Sequence, residues 1–371
     1  MKTDQNGLPW YACEGDSLDV VVSSRARLAR NLANFPFPSR FRGDDGERVQ
    51  TLVFDSFSQL QMNDSDFNFH AVDTKTLDGH GRKILEERGV LKRIIRRGEK
   101  TILPESGVVM SMDGRCSTAI NCGDHLRISY FQSGLALRNC FDECCRVDSG
   151  LQKTLQFAAS YDFGFLTASL LDAGSGLKLS ARIHIPASVY SGKLNQITEI
   201  ARNSRLKLNP AFPELSRGSV AGSFFLLETS SAMNGTELDQ IAEFESACRC
   251  IVETERKNLG EYADNKKTII RNSVLRAYSI AKLSLLISLN EAVDIISDLM
   301  TGLKIGMVSG IQMSQLCGLL YRIMPGHLEY LLESSSFTFE KDIENDIRTK
   351  TDRIRALILQ EAFEKITMGN V

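Results

Sequence analysis

Apolar residues lead directly into basic ones near the start of the chain. Residues 20–22 are three consecutive valines, a pattern typical of a buried strand. Arg25 and Arg27 follow two positions apart, so their side chains share one face if the strand continues. Guanidinium groups clustered on a strand suit multidentate phosphate recognition, and a solvated basic strand edge is the alternative.

The next segments mix helical and extended patterns. Residues 46–62 carry apolar side chains at helical spacing and predict an amphipathic helix. Residues 106–132 predict three strands separated by turns, and residues 133–160 predict two helices with a break near 148–150. Residues 164–188 predict a strand, a glycine loop and a half-buried strand.

The chain becomes almost entirely helical in its last third. A capping box at 236–239 opens an amphipathic helix, and a charged segment poor in core residues follows residue 258. We therefore predict an α+β domain over residues 1–258 and a smaller all-helical domain over residues 262–371. The apolar faces of the terminal helices either form a dimer interface or pack on the first domain.

Composition excludes several classes of protein. The 371 residues include 44 Lys and Arg against 46 Asp and Glu, a net charge of −2. The overall charge therefore does not indicate nucleic-acid binding. No apolar run approaches the ~20 residues that span a bilayer, and the N-terminus lacks the apolar core of a secretory signal. The nine cysteines show no zinc spacing. We expect a cytoplasmic protein with no metal centre of its own.

Three segments together carry a family resemblance. "SSRARLARNL", "INCGDHLRISYFQSG" and "GFLTASLLDAGSGLKLSARIHIP" occur in the order and spacing of the ATP:guanidino phosphotransferases. The chain looks most similar to the bacterial protein arginine kinases, and its helical tail resembles the domain that those kinases add. The resemblance implies an antiparallel β-sheet flanked by helices, as in guanidino kinases and glutamine synthetase. It also implies transfer of the ATP γ-phosphate to arginine side chains of proteins.

The same resemblance implies a nucleotide site that holds ATP, with Mg²⁺ carried by ATP. Arg25 and Arg27 match the first two phosphate-contacting arginines of the family, and Lys178 stands where the family has another arginine. Lysine keeps the positive charge but loses the bidentate fork. The full set of expected cofactor-binding residues is Ser24, Arg25, Arg27, Arg30, His125, Arg127, Gly174, Ser175, Gly176 and Lys178.

The substrate side departs from the family pattern. A guanidinium must lose a proton before it attacks phosphorus, and the family uses carboxylates and a cysteine thiolate for this step. Two consecutive family glutamates are replaced by Cys122 and Gly123, and the reactive cysteine falls on Ser169. The loop that should carry a third glutamate keeps only residues 217–218 of its pattern. The remaining candidates for catalysis are Asp124, Ser169, Asp172 and Glu214.

Three functions remain open. The chain is an arginine kinase with reassigned catalytic groups, a degenerate kinase that acts as a nucleotide-binding scaffold or adaptor, or a structural dimer. The retained arginine cluster argues against the third, because like charges gathered without a ligand have no packing benefit. The resemblance implies several partners: client proteins with arginines, a small zinc-binding activator, a Clp-type protease machine and a second copy of the chain.

Two further segments have weaker candidates. The family's tail recognises phosphoarginine through an "RDxxRA"-type helix start, whose nearest match here is residues 345–350, with Asn345 replacing the arginine and Asp346 retained. Arg348 is a substitute cation there or an exposed helix charge. The basic run at 91–100 is interpreted as a solvated face.

Overall fold

A long antiparallel sheet forms the centre of the N-terminal part. The computed structural model describes residues 8–96, 99–216, 219–233 and 235–369. The strands in these ranges are β1 (Val21–Arg30), β2 (Phe69–Asp73), β3 (Ile94–Arg96), β4 (Glu99–Thr101), β5 (Gly107–Ser111), β6 (Cys116–Cys122), β7 (Asp124–Ser133), β8 (Ala159–Ser160), β9 (Gly164–Phe165), β10 (Leu177–His184), β11 (Leu206–Pro210), β12 (Phe224–Thr229), β13 (Val308–Ser309) and β14 (Thr367–Met368). The main sheet has the order β11-β12-β10-β1-β7-β6-β5-β2, with antiparallel neighbours throughout.

Helices flank this sheet and make up the C-terminal part. They are α1 (Asp45–Asn63), α2 (Gly79–Glu87), α3 (Leu137–Leu151), α4 (Pro186–Tyr190), α5 (Leu194–Asn203), α6 (Glu237–Asn265), α7 (Lys267–Leu283), α8 (Leu289–Lys304), α9 (Met313–Arg322), α10 (Pro325–Ser334) and α11 (Ile347–Ala362). The predicted α+β class, with an antiparallel sheet flanked by helices, is confirmed. The predicted capping box is also present, since Thr236 and Asp239 bond reciprocally at the start of α6.

The two faces of the sheet have different environments. Side chains alternate along each strand, so one face of β1 carries Ser24, Ala26 and Leu28 while the other carries Arg25 and Arg27. The first face is covered by α3, whose cysteine thiols point at the β1 backbone, and it belongs to the main apolar core. The face that carries the arginines is therefore the one left for function.

The second of the two helices predicted within residues 133–160 is wrong. The first helix, α3, includes residues 148–150 and ends at Leu151, and residues 152–160 are turns and extended chain. Asp148 is buried because it pairs with Arg30, and Gly150 is needed for close packing, since a Cβ there would lie 2.5 Å from Leu60 Cδ1. Both residues serve tertiary contacts of a helix, although in sequence they look like turn formers.

The C-terminal helices have their own apolar core. That core includes Val22 and Phe224 of the sheet as well as α8 and α11, so the helices pack on the N-terminal part. Helix α6 continues past residue 258 to Asn265, through the segment expected to separate two domains. A dimer formed by these helices stays a prediction. In the described ranges, no helix has an apolar stretch long enough to cross a membrane.

Candidate functional site on the cationic face of the sheet

Three central strands bring four basic side chains onto one face. In the strand register, Arg27 lies opposite Lys178 of β10, and Ala29 lies opposite Arg127 of β7. Residues paired across antiparallel strands share a face, so Arg25, Arg27, Arg127 and Lys178 all project from the face opposite α3. We call this surface the cationic face.

The two arginines of β1 are held at an electrostatic cost. Arg25 donates from Nη2 to Ser129 Oγ at 2.9 Å and lies over the Phe131 ring, 4.9 Å from its centroid. Burial, and then the charges of Arg27 and Arg127, lower the pKa of Arg25 to about 9. The Nε atoms of Arg25 and Arg27 are buried, and neither has a hydrogen-bond acceptor in the described part of the chain.

Carboxylates neutralise part of this charge. Arg27 Nη2 lies 2.7 Å from Asp172 Oδ2, and Lys178 Nζ lies 2.8 Å from Glu228 Oε1. These two pairs keep side-chain exposures of 10% to 30%, so a ligand from solvent can reach them. Sequence reasoning did not identify Glu228, because only the register of β12 against β10 brings it to this face.

Lys92, in the segment before β3, is exposed and lies within electrostatic reach of the cationic face. Its pKa is lowered by burial and then by the positive charges of Arg127, Lys178 and Arg27. Lys92 belongs to the basic run at residues 91–100, and its exposed side chain agrees with the interpretation of that run as a solvated face. Residues 97 and 98 of that run lie outside the described residues.

Two of the predicted nucleotide-binding residues face the other way. Arg30 pairs through Nε with Asp148 Oδ1 at 2.9 Å, and its Nη1 donates to the carbonyls of Ala29 and Ser175. Ser24 Oγ donates to the carbonyl oxygen of Gly134 at 2.7 Å. Both side chains are buried among structural partners, so this geometry favours structural roles over phosphate contact.

His125 is also enclosed. Its Nδ1 accepts from the amide of Leu32 at 2.9 Å, which leaves Nε2 to donate to the carbonyl of Pro36 at 2.9 Å. The ring stacks on Phe41 with centroids 5.4 Å apart. Burial lowers the pKa of His125 to about 4, so the ring is neutral at physiological pH. Contact between this ring and a nucleotide remains a prediction that the geometry does not favour.

The glycine loop lies against β1. A Cβ at Gly176 would meet the carbonyl oxygen of Ala29 and Arg30 Nη1, each at 2.6 Å, so only glycine allows this approach. The amide of Gly174 donates to the carbonyl of Phe165, and Ser175 Oγ accepts from the amide of Leu177. Phosphate binding by the backbone of residues 174–176 stays a prediction.

Asp124, one of the substrate-side candidates, is fully engaged. Its Oδ1 accepts from Asn31 Nδ2 at 3.0 Å and from the amide of Ala168 at 2.7 Å. Its Oδ2 accepts from both Nε and Nη2 of Arg127. Asp124 is completely buried, so it orients Arg127 and fixes the loop at residue 168 instead of facing a substrate.

The other substrate-side residues do not form a cluster. Ser169 precedes the short 3-10 turn Leu170–Asp172, and Asp172 at the end of this turn is committed to Arg27. Glu214 is exposed, and residues 217 and 218 lie outside the described residues. Burial raises the pKa of the Cys122 thiol, so it is protonated at neutral pH and cannot replace a carboxylate.

The residues predicted to recognise phosphoarginine, at the start of α11, are arranged differently from the prediction. Asp346 caps α11 by accepting from the amides of Arg348 and Thr349, a structural use of that carboxylate. A cavity of about 360 Å³ lies beside the helix and is lined in part by Arg348 and Arg355. The segment 352–356 repeats the Asp-x-x-Arg-Ala spacing of the motif, a match that the sequence analysis missed.

Two family models match the chain. A model described as the ATP:guanido phosphotransferase C-terminal catalytic domain matches residues 48–258, and one described as the protein-arginine kinase McsB C-terminal domain matches residues 267–370. A protein-arginine kinase from Syntrophomonas wolfei is 30% identical over 84% of this chain and 85% of its own length. One from Halothermothrix orenii is 28% identical over 92% of this chain and 95% of its own length.

Solved structures share the fold at lower identity. The duplicated taurocyamine kinase from Schistosoma mansoni with bound transition state analog components is 21% identical, with a TM-score of 0.57. That match covers 70% of this chain but 36% of the duplicated enzyme. A lombricine kinase is 13% identical, with a TM-score of 0.56 over 68% of this chain and 70% of its own.

Proposed function

The chain belongs to the ATP:guanido phosphotransferase family, and we propose that it binds ATP on the cationic face and serves mainly as a nucleotide-binding adaptor in which arginine phosphorylation is strongly reduced. The proposal assigns the phosphates to Arg25, Arg27, Arg127, Lys178 and Lys92. The observation that carries it is the pair of buried Nε donors on Arg25 and Arg27 that have no acceptor in the described residues.

The cationic face fits a phosphate chain for a simple reason. Buried donors are normally satisfied, and unsatisfied ones in a native structure indicate a missing partner. Like charges also gather here, as the lowered pKa of Arg25 reflects. A polyanion supplies the missing acceptors and removes the repulsion at the same time.

The substrate side lacks what transfer requires. A bound guanidinium needs a carboxylate that is free to orient it and accept its proton. Asp124 is saturated by its hydrogen bonds, and Asp172 is paired with Arg27. Ser169 is no thiolate, and a general base is typically worth ~10²–10⁴-fold in rate.

Residual kinase activity is the second candidate. It is favoured by the position of Asp172, which ends an exposed turn at the edge of the cationic face and would be released if phosphate displaced it from Arg27. In that case the phosphoryl acceptor would be arginine in a client protein.

Several partners follow from the proposal. ATP would bring Mg²⁺ with its phosphates, because Mg²⁺ is usually held by substrate phosphates together with few protein ligands. As an adaptor, the chain would bind client proteins, and a small zinc-binding activator and a Clp-type protease machine are the expected partners. The cavity beside α11 is the candidate site for phosphoarginine.

Two measurements test the proposal. Calorimetry should detect Mg-ATP binding that Arg27→Gln weakens at least about tenfold, whereas Arg138→Gln, on an exposed arginine of α3, leaves it unchanged. Acid-labile phosphate on an arginine-rich protein should then remain near background. Absence of ATP binding would refute the proposal, and transfer abolished by Asp172→Ala would select the kinase instead.

A further inference from the structure

A carboxylate borders the cationic face on its β12 side. Glu228 lies on β12 opposite Ser180 of β10, and its side chain is 21% exposed. Its one charged partner at bonding distance is Lys178. In a phosphate site such a carboxylate opposes binding, because a fixed negative charge repels the ligand that the surrounding cations attract.

The charge of Glu228 reaches beyond its own ion pair. Burial and neighbouring cations lower the pKa of Arg25, Arg27 and Lys92, and the negative charge of Glu228 opposes that lowering in each. Glu228 therefore contacts Lys178 of β10 directly and acts on Arg25, Arg27 and Lys92 through its charge. In the described residues, three carboxylates contact cations of this face: Asp124 contacts Arg127, Asp172 contacts Arg27, and Glu228 contacts Lys178.

We propose that Glu228 is a specificity-determining residue of the nucleotide site, an internal anion that takes the place of a ligand phosphate and lowers affinity in proportion to ligand charge. This inference rests on the proposed nucleotide binding. Without a ligand, the carboxylate holds the cations together against their mutual repulsion. With a ligand, Glu228 must share Lys178 with the phosphates or release it.

A purely structural role for Glu228 makes a different prediction. If the carboxylate only stabilises the sheet, its removal lowers stability and leaves nucleotide affinity unchanged or weaker. If it competes with phosphate, its removal tightens binding of ATP and leaves adenosine, which has no phosphate, unaffected. The two roles therefore differ in the sign of the effect on ATP and in its dependence on ligand charge.

The test uses the full chain and calorimetric titration with ATP and with adenosine. Glu228→Gln should tighten ATP binding about tenfold, the effect expected for one charge next to an ionic ligand, and should leave adenosine binding unchanged. The matched control is Glu199→Gln, which removes an exposed carboxylate of α5 and should change neither affinity. Thermal unfolding verifies that each variant is folded. If Glu228→Gln does not fold, Glu228→Thr is used in its place.

The outcomes separate the two proposals. If the parent chain binds ATP and Glu228→Gln binds it with the same affinity, the proposed role of Glu228 is overturned and the nucleotide site is retained. A gain that is equal for ATP and adenosine also overturns it, since the effect would not depend on phosphate. No ATP binding by the parent chain or by either variant overturns the nucleotide site itself.

Discussion

The guanidinium of Arg127 occupies the space in which a side chain at Gly123 would begin. A Cβ placed on Gly123 would lie 2.4 Å from Arg127 Nη2 and 2.8 Å from its Cζ. Gly123 also has a φ of 95°, in the region that favours glycine. A side chain at residue 123 and the present position of Arg127 against Asp124 therefore exclude each other.

A side chain at residue 123 should therefore lower the free energy of unfolding by more than backbone strain alone would. Gly123→Ala must move Arg127 and disturb its two hydrogen bonds to buried Asp124. Gly192→Ala is the matched control, because Gly192 has a φ of 72° and open space around its Cβ. We expect the control to lower the free energy of unfolding by about 1 kcal/mol and Gly123→Ala to lower it by ~2 kcal/mol more.

Chemical denaturation measures both variants. Equal losses of stability at the two glycines would mean that Arg127 moves aside at no cost. In that event a glutamate at residue 123 could be accommodated, and restoring the family's carboxylate would be worth attempting. The expected inequality means that it cannot be restored by a single substitution.

The ion pair between Arg30 and Asp148 should be a major stabilising contact. The two side chains are 4% and 7% exposed, and removal of one partner leaves the other charge buried. We expect Asp148→Ala to lower the free energy of unfolding by about 3–5 kcal/mol. Asp142→Ala, which breaks an exposed pair with Arg138 on the same helix, should change it by less than about 0.5 kcal/mol.

This comparison also bears on the role of Arg30. If Arg30 bound phosphate, Asp148→Ala would alter ATP affinity while leaving stability nearly intact. A large loss of stability with unchanged affinity in the folded fraction would assign Arg30 to the core of the fold.

The sequence predicted the local parts of the site and missed the distant ones. The alternation along β1 placed Arg25 and Arg27 on one face because side chains alternate in any strand. The partner of Arg30 is 118 residues away, and nothing in the spacing indicates it. Glu228 reaches the cationic face only through strand register, which a single sequence does not specify.

Resemblance to a family had a similar limit. It indicated the fold correctly, whereas its assignment of the cations to ATP stays a prediction. It assigned His125 to the nucleotide side, where the structure places a ring enclosed by Leu32, Pro36 and Phe41. A motif match fixes where a residue stands in the chain, whereas burial decides what its side chain can contact.

The pKa values of two histidines should be shifted in opposite directions. Burial lowers the pKa of His125 to about 4, whereas hydrogen bonds to Glu333 and Glu329 raise the pKa of His80 above its ordinary value. Imidazole NMR signals should therefore show His80 protonating first as the pH falls, with His125 still neutral at pH 5. His80→Gln assigns the resonance, and a His125 signal that titrates near 6.5 would contradict the enclosed site.

The stability of the fold should follow the pKa of His125. The unfolded chain takes up this proton near pH 6.5, and the folded chain takes it up near pH 4, so stability present at neutral pH is lost as the pH falls between these values. The loss from this residue is on the order of 3 kcal/mol. His80 acts oppositely, since its contribution is present below pH 6.5 and disappears as the pH rises through its folded pKa.

Lys92 should contribute to ligand affinity although its segment looked like solvated surface. Burial, and then the positive charges of Arg127, Lys178 and Arg27, lower its pKa, so its ammonium group is within electrostatic reach of theirs. Lys92→Met should therefore weaken ATP binding about threefold to tenfold, with a smaller dependence on salt concentration. Lys100→Met is the matched control, since Lys100 is exposed on β4 in the same basic run. Equal effects of the two substitutions on ATP affinity would mean that the basic run is only a solvated surface. Phosphate contacts would then come from the strands of the sheet alone.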